Sequence, residues 1–187
     1  EWLGIDIVAR MEQIGLSFHK DKTRLKQLHS IRRQRSSLVT FHEMYIVQSL
    51  AMGLKELPGD FVEVGIYQGS TAKAICDAKG DKTLHLCDTF EGLPEPKGED
   101  ALVEKKGSFA CGLESIQKYL AGVPNIVYHP GYCPQSVTGV LDDKKFALLH
   151  LDVDLYESTL ECLQYFWPRM LPGGVVISHD YSILAGV

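Results

Sequence analysis

The amino-acid sequence predicts a Rossmann-like α/β fold, a parallel sheet covered by helices on both faces. Three observations carry that expectation. Five short segments are apolar almost throughout, as strands buried on both sides must be. Stretches with helical spacing of apolar residues alternate with them. The strands run into glycine, aspartate or histidine at their carboxyl ends, where sheets of this kind bind ligands.

The elements follow in order. Helical patterning dominates up to about residue 57, and from Phe41 to Leu57 the apolar Met44, Val47, Leu50, Ala51 and Leu54 recur at three- and four-residue steps. Leu57-Pro58-Gly59-Asp60 breaks this helix, so residues 1–57 read as a helical extension and 58–187 as the sheet-bearing core of one domain. Phe61–Val64 is the first strand, and a helix is expected from Ser70, a good N-cap, to a stop at Gly80. Thr83–Cys87 is the second strand, followed by a Pro/Gly/Glu-rich loop from Asp88 to about Asp100. Leu113–Leu120 is helical, Asn125–His129 the third strand and Lys145–Leu151 the fourth. A long helix is expected over Leu155–Met170, and Pro172-Gly173-Gly174 turns it into a fifth strand, Val175–Ser178.

Length and composition agree with one globular domain. The 187 residues are 45% hydrophobic and 23% charged, which excludes a disordered chain. No apolar run approaches the ~20 residues of a membrane helix, and Glu1-Trp2-Leu3 lacks both an initiator Met and the basic start of a secretory signal. A net charge of −5 argues against a general nucleic-acid binder. The charge is uneven, however: Lys20–Arg35 holds seven Lys/Arg against Asp21 alone, either a solvated basic helix face or a site for an acidic ligand. Five scattered cysteines, none in a C-x-x-C pair, suit reduced thiols in a cytoplasmic enzyme.

Chemistry gathers at the strand ends. Glu63-Val64-Gly65-Ile66-Tyr67-Gln68-Gly69-Ser70-Thr71 has glycines that allow a tight turn and a close backbone approach to a ligand. Tyr67 occupies the second glycine position of a dinucleotide fingerprint, and Glu63 would repel a phosphate while suiting a cationic or amino-bearing ligand. An ordinary strand–turn–helix junction would look the same. Asp88, ending the second strand, is placed to accept hydrogen bonds from the ribose hydroxyls of an adenosine, a device shared by NAD and S-adenosylmethionine sites. The fourth and fifth strand ends bring Asp152, Asp154, His179 and Asp180 towards one spot. Crowded carboxylates need a cation or a proton between them, and oxygen donors with one imidazole suit Mg²⁺ or Mn²⁺. A helix N-cap at Asp154 or Ser158 with the other charges solvated is the plainer alternative.

These stretches together resemble the macrocin O-methyltransferase family. The resemblance lies in Val62-Glu63-Val64-Gly65 with Gly69-Ser70-Thr71, Asp88-Thr89-Phe90-Glu91-Gly92-Leu93-Pro94, Asp152-x-Asp154-Leu-Tyr-Glu-Ser-Thr, Trp167–Gly174 and Asp180-Tyr181, in order over roughly residues 37–183. It implies a class I S-adenosylmethionine methyltransferase sheet and a Mg²⁺-requiring enzyme that methylates sugar hydroxyls, chiefly on bacterial natural products. Carried onto these residues, it gives Glu63 and the Gly65–Thr71 turn, with Tyr67, to the methionine end of the cofactor. It gives Asp88 to the ribose with Thr89 and Phe90 beside it, and Gly131-Tyr132 to the adenine. Asp152 becomes a metal ligand with His179 and Asp180, and Asp154 a general base. The family usually has two adjacent acids before the tyrosine; here the first is His179, either an imidazole ligand or itself the base.

The acceptor is expected to be a hydroxylated, and in the family glycosylated, small molecule; homo-oligomerisation would use the N-terminal helices. Sheets of this class normally carry seven strands, so the five here are expected to be the cofactor half of a larger enzyme, truncated after the fifth strand. Two rival readings remain: Asp152-x-Asp154 as the D-x-D of a metal-dependent glycosyltransferase, and a cofactor-binding domain without turnover.

Overall fold

Five apolar segments pair as parallel strands: β1 (Asp60–Val64), β2 (Leu84–Asp88), β3 (Ile126–Pro130), β4 (Phe146–Leu151) and β5 (Met170–Ser178). The computed structural model describes residues 2–179 and Tyr181, with side chains left aside for residues 2–6, 8 and 9. The sheet order is β3-β2-β1-β4-β5. Chain order therefore reverses between β1 and β4, where the carboxyl ends of a parallel sheet leave a crevice. The helices are α1 (Trp2–Ser17), α2 (Lys22–Gln34), α3 (Phe41–Leu54), α4 (Ser70–Cys76), α5 (Leu113–Tyr119) and α6 (Tyr156–Phe166). No helix among the described residues is long and apolar enough to cross a membrane.

Alternate side chains on a strand face opposite layers, and the two cores divide accordingly. Phe61, Leu84, Leu86 and Leu148 pack with Val47 and Ala51 of α3, Ala72 and Ile75 of α4 and Ile116 of α5. Val62, Val64, Phe146, Leu149 and Leu151 face the other way, onto Cys162 and Phe166 of α6. A third cluster joins the N-terminal helices through Leu25, Leu28, Ile31, Phe41 and Met44 to Ala74 of α4. Helix α1 turns Leu16 inward and leaves Ile7, Met11 and Ile14 exposed, as is Phe18 just beyond its end.

Several boundaries differ from the sequence expectation: α3 ends at Leu54 and α4 at Cys76, short of Leu57 and Gly80, and two further shifts have clear local causes. Helix α6 stops at Phe166 and tightens into a 3-10 turn, Trp167–Arg169, because Pro168 has no N–H to continue the ladder. Strand β5 begins at Met170, five residues before Val175, since Met170 already pairs with Phe146 and Leu148 with Val175, the register slipping between them. The basic run is also used inward. Arg24 bonds Gln48 and Ser49 and lies 4.3 Å over the Tyr45 ring; Arg35 bonds Ser115 and lies 4.6 Å over Tyr119. These guanidiniums stitch α2 to α3 and α5, so the stripe is only partly a solvated face.

Two buried polar groups deserve a physical account. Lys79 is 1% exposed, and its ammonium donates to the carbonyls of Lys82 (2.6 Å), Pro124 (2.9 Å) and Gly80 (3.4 Å), closing the loops beneath β2 and β3. His129 and His85 touch ring to ring, Nε2 to Nδ1 at 2.9 Å, and His85 Nε2 lies 3.2 Å from Asp60 Oδ2, which Lys144 also reaches. Both rings fit as neutral: His129 Nε2–H donates to His85, whose Nε2–H donates to Asp60. Burial, then the neighbouring His85, hold His129 down at about 4; burial lowers His85 too, against Asp60.

Acid should therefore loosen the fold. The unfolded chain takes up protons near the ordinary histidine value, about 6.5, that folded His129 refuses until about pH 4. Stability is thus expected to fall as pH drops through that window, and Tm measured from pH 7.5 to 4.5 should show a smaller slope for His129→Gln. An unchanged slope in the variant would contradict the assignment.

Candidate functional site

The crevice at the β1/β4 reversal holds a cleft of about 460 Å³, within the ordinary range for small-molecule sites. Its floor is the carboxyl ends of β1, β2 and β4, and its walls come from three loops. Residues 36–40 and Glu43 close one side, Gly92–Pro94 with Ser108 and Phe109 another, and Gly131–Cys133 a third.

Gly65 lets the floor form. A Cβ there would sit 1.7 Å from the Asp152 carbonyl oxygen, and its φ of +87° lies where only glycine is unstrained. The β1 turn thus lies directly against the β4 tip, tied by Asp152 N–H to Val64 O at 2.9 Å. Strain collects around it: Tyr67 (φ 45°), Phe109 (φ 61°) and Asp154 (φ 59°) are left-handed non-glycines that line the cleft. Non-glycine residues hold such φ values only where surrounding packing over-determines them, a pattern frequent at functional sites. The Tyr67 and Phe109 rings meet edge to face at 5.7 Å.

Asp88 organises the next wall. Its Oδ2 accepts from Ile66 N–H and its Oδ1 from Phe90 N–H, both at 2.6 Å, so one carboxylate locks the turns after β1 and β2 together. Each oxygen keeps a lone pair for a further donor. Thr89 lines the cleft and bonds Gly92 O at 2.7 Å. Gly131 N–H donates to Asp88 O, and Tyr132 OH lies 3.1 Å from Ser158 Oγ.

Opposite stands an imidazole between two carboxylates. His179 Nδ1 is 3.2 Å from Asp152 Oδ1, and its Nε2 is 3.5 Å from Glu43 Oε2. Glu43 is the N3 residue of a capping box, its Oε2 also accepting from Thr40 N–H at 2.8 Å. His179 first, and then the Thr40 contacts, hold the Glu43 carboxyl at about 2, against desolvation. Among the described residues no group of three His, Cys, Asp or Glu side chains is arranged to hold a metal. The Asp152/His179 pair does supply two donors at 3.2 Å, near the ~3 Å that separates adjacent ligands around an ion with ~2.1 Å bonds.

The structure brings Gly65, Tyr67, Ser70, Thr71, Asp88, Thr89, Gly131, Tyr132, Asp152, Asp154 and His179 to one cleft. It corrects Glu63. That residue shares the β1 face of Phe61, is fully buried, and lies 3.0 Å from His150 Nδ1 across the β1–β4 register, away from the cleft wall. Gly69 serves the turn through its φ of 80° and is itself the N-cap of α4, with Ser70 the first helical residue. The Phe90 ring packs into the core instead of the cleft. Asp180 lies outside the described residues. Sequence reasoning missed Glu43 and the loop 36–40, although Thr40-x-x-Glu43 is a readable helix-start signature.

Gly65→Ala is expected to cost about 2 kcal/mol or more, because its methyl group would overlap the Asp152 carbonyl in a left-handed backbone. Urea unfolding measures this, and a variant of wild-type stability would refute the close approach.

Comparison with known proteins finds a family and a shared fold. The macrocin O-methyltransferase (TylF) family model matches residues 46–187. The 8-demethyl-8-(2,3-dimethoxy-alpha-L-rhamnosyl)-tetracenomycin-C 4'-O-methyltransferase of Streptomyces olivaceus is 32% identical over 143 residues, 68% of this chain and 54% of that protein. Demethyldecarbamoylnovobiocin O-methyltransferase of Streptomyces niveus is 30% identical, again over 68% of this chain and 54% of its own. The chain thus spans about half the length of these relatives. Among solved structures, the calicheamicin methyltransferase CalS11 shares the fold at TM-score 0.69 and 18% identity, covering 93% of this chain and 77% of its own. The O-methyltransferase NovP does so at TM-score 0.65 and 23% identity, covering 79% and 68%. The chain belongs to the macrocin O-methyltransferase family.

Proposed function

We propose that the chain is the cofactor-binding part of an S-adenosylmethionine-dependent O-methyltransferase acting on a hydroxyl of a sugar or diol-bearing small molecule. The observation that carries this reading is the cleft at the β1/β4 reversal, with a glycine turn on one side and Asp88 on the other. Relatives named for rhamnosyl-tetracenomycin and demethyldecarbamoylnovobiocin methylation support the acceptor class. Five free cysteines suit a cytoplasmic setting.

S-adenosylmethionine supplies a sulfonium-activated methyl group to an attacking oxygen. The chain's own residues would do the rest. Asp88 accepts from the ribose hydroxyls with the lone pairs its amide partners leave. The Gly65–Thr71 turn lets backbone approach the methionine end, with Tyr67 above it. Gly131 and Tyr132 face the adenine. Asp152, Asp154 and His179 take the acceptor side, where a carboxylate or the imidazole removes the hydroxyl proton as the O–C bond forms and the C–S bond breaks. A divalent cation would be held by Asp152 and His179 with Asp180, and would supply Lewis acidity that lowers the proton affinity of the acceptor hydroxyl. The apolar Leu93, Pro94 and Phe109 would shield the reacting atoms from water.

Two outcomes are expected. S-adenosylmethionine should bind with a measurable thermal shift, and Asp88→Asn should weaken its Kd roughly tenfold or more, the worth of a charge-assisted hydrogen bond. Binding unaffected by that substitution would remove Asp88 from the ribose. Turnover should be lost on chelation with EDTA and return with Mg²⁺ or Mn²⁺; full turnover in EDTA would leave proton removal to Asp154 or His179 without a metal.

A further inference from the structure

We propose that Asp100, carried by the loop between β2 and α5, is a positioning residue that caps α6 from outside that helix and so fixes the turn presenting Asp154 to the cleft. The inference rests on the reading of Asp154 as part of the acceptor side of the methyl-transfer site. Helix α6 needs such a partner. Its N-cap position falls on Leu155, which makes no side-chain cap, and the first amides of a helix have no acceptor within it. Asp100 Oδ2 accepts from Tyr156 N–H, the first of those amides, at 2.9 Å and across 56 residues of sequence. Asp100 opens a 3-10 turn, Asp100–Leu102, and is buried.

The turn that Asp100 anchors is strained. Asp154 holds a φ of 59° without being glycine, a conformation that persists only where its surroundings over-determine it. On the strand side the anchor is Asp152 N–H to Val64 O at 2.9 Å, and within the turn Leu155 N–H reaches Val153 O at 2.7 Å. On the helix side it is Asp100. The same loop builds a wall of the cleft. Its neck is closed by Leu93 N–H to Ser108 O and Gly107 N–H to Leu93 O, both at 2.9 Å, and Leu93, Pro94, Ser108 and Phe109 line the cleft. Lys97 adds an exposed second tie to the first turn of α6, 2.7 Å from Glu157 Oε2. Asp100 therefore couples the apolar wall to the Asp154 turn, so that both are placed by one hydrogen bond.

A cap that merely started α6 would act on stability alone, and three substitutions separate the two roles. Asp100→Asn keeps an oxygen that accepts from Tyr156 N–H, and Asp100→Ala removes it. Tyr156→Pro removes the donor instead, at the first helical position, where proline suits the helix and the missing N–H breaks no intrahelical bond. In Asp100→Ala and Tyr156→Pro the backbone ¹³C shifts of Asp154 should leave their left-handed values, and in Asp100→Asn they should keep them. The Kd of S-adenosylmethionine should stay within about twofold of wild type in all three, since Asp88 and the glycine turn are untouched. With an active acceptor, kcat measured well below Tm should fall about tenfold in Asp100→Ala and Tyr156→Pro, and return to within about threefold of wild type in Asp100→Asn. Tyr156→Pro keeps the test readable if Asp100→Ala does not fold. Unchanged Asp154 shifts in Tyr156→Pro, an Asp100→Asn that behaves like Asp100→Ala, or wild-type kcat in both disrupting variants would overturn the proposal. The shifts need no turnover. Failure of methyl transfer in the wild-type protein would therefore count against the proposed function and leave the role of Asp100 readable.

Discussion

Gly65 has no side chain, and the carbonyl of Asp152 occupies the space where one would go. That contact couples the two halves of the site. It seats the β1 turn on the β4 tip at the point where strand order reverses, so the glycine turn and the acidic pair share one floor. Asp88 then ties the turns after β1 and β2 through two short amide hydrogen bonds, and the left-handed Tyr67 and Asp154 are held on either side. The cleft exists because two backbones approach more closely than any side chain allows.

Electrostatics in and under this floor are handled by pairing. Glu63 and His150, fully buried one layer below, face each other across the sheet at 3.0 Å, where burial alone would lower the histidine but Glu63 raises it. A buried pair of this kind adds little net stability over an apolar one, yet losing either partner strands the other. At the cleft itself the imidazole of His179 stands between Asp152 and Glu43. The site thus meets its acidic surroundings with nitrogen as well as oxygen donors, and the N-terminal helices contribute one of the acids.

Much of this was legible in the sequence. The central strands β1, β2 and β4 are buried almost throughout and the edge strands β3 and β5 only in part, yet all five are apolar enough to stand out, and the residues just past their tips marked the cleft. Period-2 alternation also held the information that Glu63 shares a face with Phe61, but a strand-end acid next to a glycine turn suggested a ligand instead. Two of the boundaries that shifted had local causes: Pro168 ended α6, and the slip between Phe146 and Leu148 admitted Met170 into β5. The placement of Glu43 beside His179 could not be read, because the two lie more than a hundred residues apart in sequence and only tertiary packing of α3 brings them together.

A crystal structure with S-adenosylhomocysteine bound is the most direct measurement. The site described requires both ribose hydroxyls within hydrogen-bond distance of the Asp88 carboxylate, the sulfur beside the Gly65 turn, and its open side facing Asp152 and Asp154. A nucleoside lodged elsewhere, or an Asp88 that keeps only its Ile66 and Phe90 amides, would contradict it.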